Sequence, residues 1–509
     1  MKHHTAVAVI ASVALALPVG RNAGTDDASA QTATQRPTTV STAPGSVLSP
    51  APEQEAAFAA SARTNARIDS IFAPWDREDS PGCALGVVQN GRFLYTRGYG
   101  MANLDYRIPN SPSMVYYVGS VSKQFTAAAI ALLAQEGRIA LDAPVRTYLP
   151  ELADYGTPLT IRHFVHHTSG IRDIYVLMDL AGIRMEDVFD DDAALALITR
   201  QKELNFTPGT DYLYSNSGYW LLGQIVERVT GESLREFARR RFFEPLGMSR
   251  SHFHDDPGHV MRDRVVSYAR TGSGDHRVAD LANFDKIGAG GLYTTVEDLL
   301  KWDAAFHDPR VGGATWLEQM HTRGVLANGD TLPYAFGLTI GMHRGLRTVR
   351  HGGSLMGFRA EMLRFPDQRF TTLVLCNLAS IAPAGLAERV AAIYLANVMQ
   401  PAAVAASGGA RAGGAGGQRS SQPRAVSNPA VFTGTYRSEE VQAEYTVRAS
   451  GDSLVLERPA RDPIALVAMD DEFRAGNLTL RFVREGAGHA SAFTVQAGRV
   501  RNIRFERIR

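Results

Sequence analysis

Ser120-Val121-Ser122-Lys123 combines a hydroxyl and an amine at a spacing that could do acyl-transfer chemistry. On a helix, positions i and i+3 share one face. A serine becomes a nucleophile when a base takes its proton, and a buried lysine with a lowered pKa can be that base. The run that follows, KQFTAAAIALLAQEG, reads as a mostly buried helix whose N-terminal N–H groups suit a developing oxyanion. Lysine is scarce, at five of the 53 basic side chains. About 0.3 accidental S-x-x-K matches are expected in such a chain, so the motif alone also fits a helix cap beside a solvated lysine. A guanidinium cannot give up its proton to act as a base. A lysine kept where arginine fills almost every other basic position is therefore best explained by chemistry.

Two further clusters could complete such a site. Tyr214-Ser215-Asn216 follows Thr207-Pro208-Gly209-Thr210 and precedes the helical run GYWLLGQIVERV. A phenol near a lysine can share its proton and relay it to a leaving group, and an amide can hold a substrate carbonyl. The simpler alternative is a turn in which Asn216 caps the next helix. His351-Gly352-Gly353-Ser354 lies between a β-rich run and a strand beginning near Gly357. Paired glycines admit a substrate backbone close to a strand edge, or simply turn the chain.

Other constellations fall short. His163 and His167 stand i, i+4, but Phe164 occupies the place where a zinc-protease helix carries its glutamate, so no metal is expected. No G-x-S-x-G elbow appears between a strand and a helix. Asp187, Asp190, Asp191 and Asp192 are interrupted by Phe189 and read as a solvated loop and helix N-terminus. The surrounding segment, Ile171 to Phe206, is expected to wall the pocket.

The elements that must position these groups belong to a 509-residue chain, 45% hydrophobic and 21% charged, with a formal charge of +1. That is globular composition with room for two to four domains, and it argues against a nucleic-acid or anionic-membrane surface. A basic start, an apolar run from Ala6 to Leu17 and Ala28-Ser29-Ala30 predict a signal peptide over residues 1–30 and export to a bacterial periplasm or beyond. The 12-residue run is too short to span a bilayer, so no transmembrane segment is expected after cleavage. Residues 31–52 read as a Thr/Ser/Ala/Pro linker and 401–428, containing Gly408 to Gln422, as a flexible Gly/Ala/Arg linker. Between them, residues 53–400 carry a hairpin turning at Asn90-Gly91, a helical middle, two late strands and a closing helix from about Ala384 to Met399. Strands at both ends with helices between predict one α+β domain. Residues 429–509 hold seven or eight short β-rich runs, predicting a small antiparallel barrel or sandwich. Cys83 and Cys376 sit in apolar strand-like runs and are expected as buried free thiols, although export would permit a disulfide between them.

Taken in order, S-x-x-K, Y-S-N about 90 residues on, and H-G-G before a closing strand and helix, the set resembles the serine β-lactamase and penicillin-binding protein superfamily. It is most similar to the class C β-lactamase-related branch of esterases, D-aminopeptidases and D,D-peptidases. Supporting matches are His166-His167-Thr168-Ser169-Gly170, Pro208-Gly209, Pro245-Leu246-Gly247-Met248 and Gly290-Gly291-Leu292-Tyr293-Thr294-Thr295. The last is read as opening a helix with a Thr294-x-x-Glu297 capping box. The resemblance spans about Asn65 to Met399, and the region after the glycine linker resembles the lipocalin-like barrel of some members. It implies a β-lactamase/transpeptidase-like antiparallel sheet flanked by helices plus an all-helical region, followed by a small antiparallel β-barrel.

The same resemblance implies that Ser120 attacks a carbonyl, with Lys123 and Tyr214 sharing the roles of base and proton donor. Asn216 would orient the acyl side, and the N–H groups of Ser120 and Ser354, beside Gly353, would hold the oxyanion. Many β-lactamases carry Lys-Thr-Gly at the third motif. His351 and Gly352 stand here instead, which weakens any grip on an antibiotic carboxylate at that position. The expectation is an exported serine hydrolase acting on a small ester, peptide or cell-wall-derived substrate without cofactor or metal. A β-lactamase or D,D-carboxypeptidase is the alternative, and a non-catalytic cell-wall or peptide binder a further one.

Overall fold

The computed structural model describes residues 52–509 apart from 281–282, 284, 309, 402–425, 427, 470–471 and 485–487. The expected signal peptide, the first linker up to residue 51 and the run Gly408 to Gln422 lie outside the described residues. The elements below belong to the unit Phe58–Arg509, except where a helix crosses its first residue. Among the described residues no helix is long and apolar enough to cross a membrane.

Six strands build the main sheet: β1 (Cys83–Gln89), β2 (Arg92–Tyr99), β3 (Thr339–His343), β4 (Leu346–Leu355), β5 (Phe358–Phe365) and β6 (Phe370–Cys376). Their order is β3-β4-β5-β6-β1-β2, and every neighbouring pair is antiparallel. The two ends of the domain thus meet where β1 pairs with β6. Asn90 and Gly91, with φ of 51° and 74°, make the tight turn between β1 and β2 that an Asn-Gly pair favours.

Strand β1 is apolar on both faces because both are covered. Leu85 and Val87 pack with Ile68 and Phe72 of α1 (Pro52–Phe72), while Ala84 and Val88 join the larger core on the other side. Burial on both sides removes the usual alternation of polar and apolar residues. The helix α2 (Lys123–Gln135) is buried all along Lys123 to Leu133, as its Ala/Leu-rich sequence predicts.

Three local expectations need correction. Cys83 and Cys376 are not free thiols but a disulfide: antiparallel pairing sets them directly opposite each other on β1 and β6, 4.0 Å apart at Cα. The cap of α6 (Val296–Ala304) is Thr295, whose side chain accepts from Asp298 N, one residue later than read from sequence. Thr294 instead hydrogen-bonds Ser251 in a short pairing of strands. The closing helix α8, which follows α7 (Gly313–His321), runs Pro383–Tyr394, and the turn beyond it still buries Leu395 and Met399.

The C-terminal strands close into an eight-stranded antiparallel barrel from β7 (Gly434–Ser438) to β14 (Val500–Arg507), sealed where Tyr436 pairs with Arg507. Its interior is filled by rings, with Phe493 stacked on Phe505 at 5.0 Å and Tyr445 against Phe505 at 4.3 Å. This packing makes the barrel a solid body rather than a cup.

The barrel sits on the segment Ile171 to Phe206, which includes α3 (Ile174–Ala181) and α4 (Asp191–Thr199). Arg172, fully buried, donates to Glu440 Oε1 of the barrel at 2.5 Å, and Tyr445 donates to Leu180 O at 2.8 Å. The acidic run has the ordinary role its sequence suggested, with Asp190 capping α4.

Candidate active site

A cavity of about 590 Å³ is lined by Ser120, Tyr214, Asn216, His351, Gly353 and Ser354. Lys123 lies beneath it, fully buried. Residues from three distant stretches of sequence thus converge on one place.

Ser120 comes from a single tight helical turn, Gly119–Ser122, that runs directly into α2. This arrangement leaves Ser120 half-buried at the cavity and sends Lys123 inward. Its Nζ lies 3.2 Å from Ser120 Oγ, 2.8 Å from Asn216 Oδ1 and 2.6 Å from Ala289 O. Burial holds the Lys123 pKa well below that of an ordinary lysine; Asp173 opposes this and Arg499 reinforces it. Burial thus favours the neutral amine over the ammonium.

Tyr214 stands just before α5 (Asn216–Thr230), with its ring 4.8 Å from Lys123 Nζ. Its hydroxyl is buried and makes no hydrogen bond within the protein. Burial raises the phenol well above its usual pKa, and the adjacent Ser120 hydroxyl and Arg499 cation offset part of that rise. The phenol is therefore protonated and available to a ligand.

Asn216 opens α5 rather than capping it, because the cap position belongs to Ser215. Asp173 Oδ2 accepts from Asn216 N and from Nδ2, both at 2.8 Å, which turns Oδ1 toward Lys123. One amide hydrogen of Asn216 stays uncommitted to these partners.

Strand β4 crosses the mouth of the Ser120 turn through its glycines. A Cβ on Gly353 would stand 1.9 Å from Val118 O and 3.1 Å from Ser120 N, so no larger residue permits this approach. Gly119, at φ 53°, meets the strand from the other side: a Cβ there would lie 2.7 Å from Ser354 N. The backbone N–H groups of Ser120 and Ser354 are brought near each other in this way.

His351 does not offer a charge to the cavity. Burial, reinforced by Lys123, lowers its pKa to about 4, against a small opposing effect of the Gly352 carbonyl. Its Nε2 meets Tyr334 Oη at 2.9 Å and its Nδ1 meets Gly352 O at 2.6 Å, so both ring nitrogens are occupied. A neutral ring donating to Gly352 and accepting from Tyr334 satisfies both contacts.

The two other histidines considered from sequence serve separately. His163 accepts from Thr160 N in the capping box of the short helix Ile161–Val165, whereas His167, past the end of that helix at φ 59°, lies 4.1 Å from the Tyr214 ring. Its Nδ1 accepts from Ser215 N.

Three groups at the site escaped the sequence reading. Asp173 is legible as a helix cap before the apolar run of α3, but nothing in its spacing announces its second oxygen on Asn216. Ala289 contributes only a carbonyl, which leaves no signature in residue type. Arg499 comes from the barrel: it lines the cavity with its guanidinium 4.7 Å from the Tyr214 ring centre.

A D-aminopeptidase from Gluconobacter oxydans is 31% identical over 332 residues, which is 65% of this chain and 62% of that protein. The chain thus spans less than two thirds of the length of that relative. The octameric penicillin-binding protein homologue from Pyrococcus abyssi superposes with a TM-score of 0.58 at 22% identity, over 87% of this chain and 99% of its own. The D-amino acid amidase from Ochrobactrum anthropi superposes with a TM-score of 0.56 at 21% identity, over 66% and 99%. At those identities the two structures speak for the fold. The sequence pattern of the beta-lactamase family matches residues 68–413, from α1 through the whole cavity-bearing domain, and the chain belongs to that family.

Proposed function

We propose that the protein is a serine hydrolase that cleaves an amide or ester bond through an acyl-enzyme, with small peptides or amides of D-amino acids as the first substrate class to examine. The reading rests above all on the surroundings of Lys123 Nζ. A neutral amine has two hydrogens and one lone pair. The carbonyl oxygens of Asn216 and Ala289 can only accept, so they take the hydrogens, which leaves the lone pair for Ser120 Oγ–H at 3.2 Å.

The chemistry follows in two halves. Lys123 takes the Ser120 proton as Oγ bonds to the carbonyl carbon, and the oxyanion is met by the N–H groups of Ser120 and Ser354. The tetrahedral adduct collapses by breaking the bond to the leaving amine or alcohol. Tyr214 gives the leaving group its proton and regains one from Lys123. Water then attacks the acyl-serine, losing a proton to the same base, and the acid departs as Ser120 recovers its hydrogen.

The D-amino-acid class is supported by the D-aminopeptidase relative and by a neutral His351 at the third motif. A β-lactamase or D,D-carboxypeptidase is the competing assignment. A fluorophosphonate probe should label the wild type and not Ser120→Ala. Absence of labelling in folded protein at neutral pH would reject the hydrolase and favour a binder. Turnover of a chromogenic β-lactam far above that of D-amino-acid amides and nitrophenyl esters would reject the substrate class. We also propose export, which the disulfide between Cys83 and Cys376 favours; recovery of the full-length chain from the cytoplasmic fraction alone would reject it.

A further inference from the structure

The charges around the cavity do not balance. Glu361 lines it but is held by Arg350 at 2.8 Å. Asp173 is fully engaged: one oxygen caps α3 and the other accepts twice from Asn216. No carboxylate among these is left to receive a substrate ammonium. Two guanidiniums remain on the walls. Arg359 donates to Met356 O at 2.9 Å and Phe358 O at 2.6 Å, which fixes it to its own strand end.

Arg499 is placed differently. Its side chain is 44% exposed, lies over Tyr214, and approaches Asp173 Oδ2 at 3.5 Å, too long for a full hydrogen bond. It sits in the tight turn between β13 (Ala490–Ala497) and β14, after Gly498 at φ 47°. Asn205 clamps that turn from both sides, donating to Arg499 O at 2.9 Å and accepting from Arg501 N at 2.8 Å. The barrel therefore delivers a held cation to the cavity.

We propose that Arg499 reads a carboxylate on the substrate, so that the preferred ligand is a D-amino-acid peptide with a free carboxylate rather than one with a free ammonium. This rests on the serine-hydrolase reading above and, within it, favours a D,D-carboxypeptidase over an aminopeptidase. A guanidinium fork matches a carboxylate in two parallel hydrogen bonds, whereas an ammonium placed there meets like charge with no free counter-ion. His351, neutral and occupied on both nitrogens, supplies no cation at the third motif. The barrel supplies one from the opposite end of the sequence.

The test separates this proposal from the reading beneath it. In full-length Ser120→Ala, which removes turnover, calorimetry compares three probes: N-acetyl-D-alanyl-D-alanine, its C-terminal amide, and D-alanyl-D-alaninamide. The first should bind at least tenfold tighter than the other two. Adding Arg499→Gln should bring the ratio near one, and Arg499→Lys should recover part of it. Arg501→Gln, on the same hairpin but over Phe206, should keep the original ratio. Equal or tighter binding of either probe that lacks the carboxylate, no binding of the carboxylate probe, or a preference that survives Arg499→Gln each overturns the proposal. Failure of the hydrolase reading shows independently, as absence of fluorophosphonate labelling in protein with an intact Ser120.

Discussion

Asp173 holds Asn216 twice, through its main-chain N–H and its side-chain amide, each at 2.8 Å. An amide whose NH2 faces a carboxylate must turn its oxygen the other way, and that oxygen meets Lys123. The carboxylate thus aims the lysine without touching it. Asp173 and Arg499 also act on Lys123 by charge, in opposite senses and both subordinate to burial.

Those senses can be read in a pH profile. If Lys123 must be deprotonated to act, kcat/KM rises along an acidic limb set by its pKa. Asp173→Asn removes a charge that stabilises the ammonium, so the pKa falls and the limb moves to lower pH. Arg499→Gln removes a charge that destabilises it, so the limb moves to higher pH. Profiles measured side by side should diverge in those directions; shifts of the same sign would exclude Lys123 as the titrating base.

Replacing the lysine tests the base more directly. Lys123→Met keeps the length of the side chain and strips a donor from Asn216 Oδ1 and Ala289 O, at a cost of about 1–3 kcal/mol. It should fold, and lose about 10²–10⁴ in kcat. Lys123→Arg should be no better, since a guanidinium stays protonated. A kcat within tenfold of wild type for either would move the role of base to another group.

How much of this was legible beforehand depends on how far each signal travels. The S-x-x-K pair declares itself because both partners lie within one turn of chain. The Asn90-Gly91 hairpin does so because two residues fix the turn. The cysteines misled because apolar surroundings mark burial equally for a thiol and a disulfide, and only the register of β1 against β6 makes them partners. The cap of α6 was misread by one residue because Thr294 and Thr295 are chemically alike, and tertiary contact with Ser251 decides between them. Arg499 had no local signal at all. One arginine in a barrel turn looks like any other until the barrel is seated on Ile171 to Phe206.

The approach of β4 to the nucleophile turn predicts that Gly353→Ala damages rate more than stability. The added methyl would collide with Val118 O and push the strand away from Ser120 N. Loss of one oxyanion donor costs about 10²–10³ in kcat, while overpacking costs about 1–3 kcal/mol. Thermal unfolding and steady-state kinetics on the same preparation separate the two. An unaltered kcat would remove β4 from the oxyanion site.

The buried pair between Arg172 and Glu440 predicts that the barrel is part of the active-site scaffold rather than an attached module. Arg172 is fully buried and donates to Glu440 Oε1, Gln201 Oε1, Arg501 O and Asn502 O, so three of its four partners here are neutral. Glu440→Ala leaves the guanidinium buried without its counter-charge, at a cost of about 3–5 kcal/mol. Arg172 directly precedes Asp173, so loosening it also frees the carboxylate that aims Asn216 and Lys123. The variant should therefore lose both melting temperature and kcat. Glu457→Ala, which breaks the exposed pair with Arg448 on the barrel surface, should lose neither. Glu440→Gln retains an acceptor and should fall between them in stability. Deleting Pro429 to Arg509 removes Glu440 and the carbonyls of Arg501 and Asn502 together, so the remaining domain should aggregate or label poorly with a fluorophosphonate. A truncated chain that folds and labels at the wild-type rate would show that the catalytic domain positions Asp173 unaided.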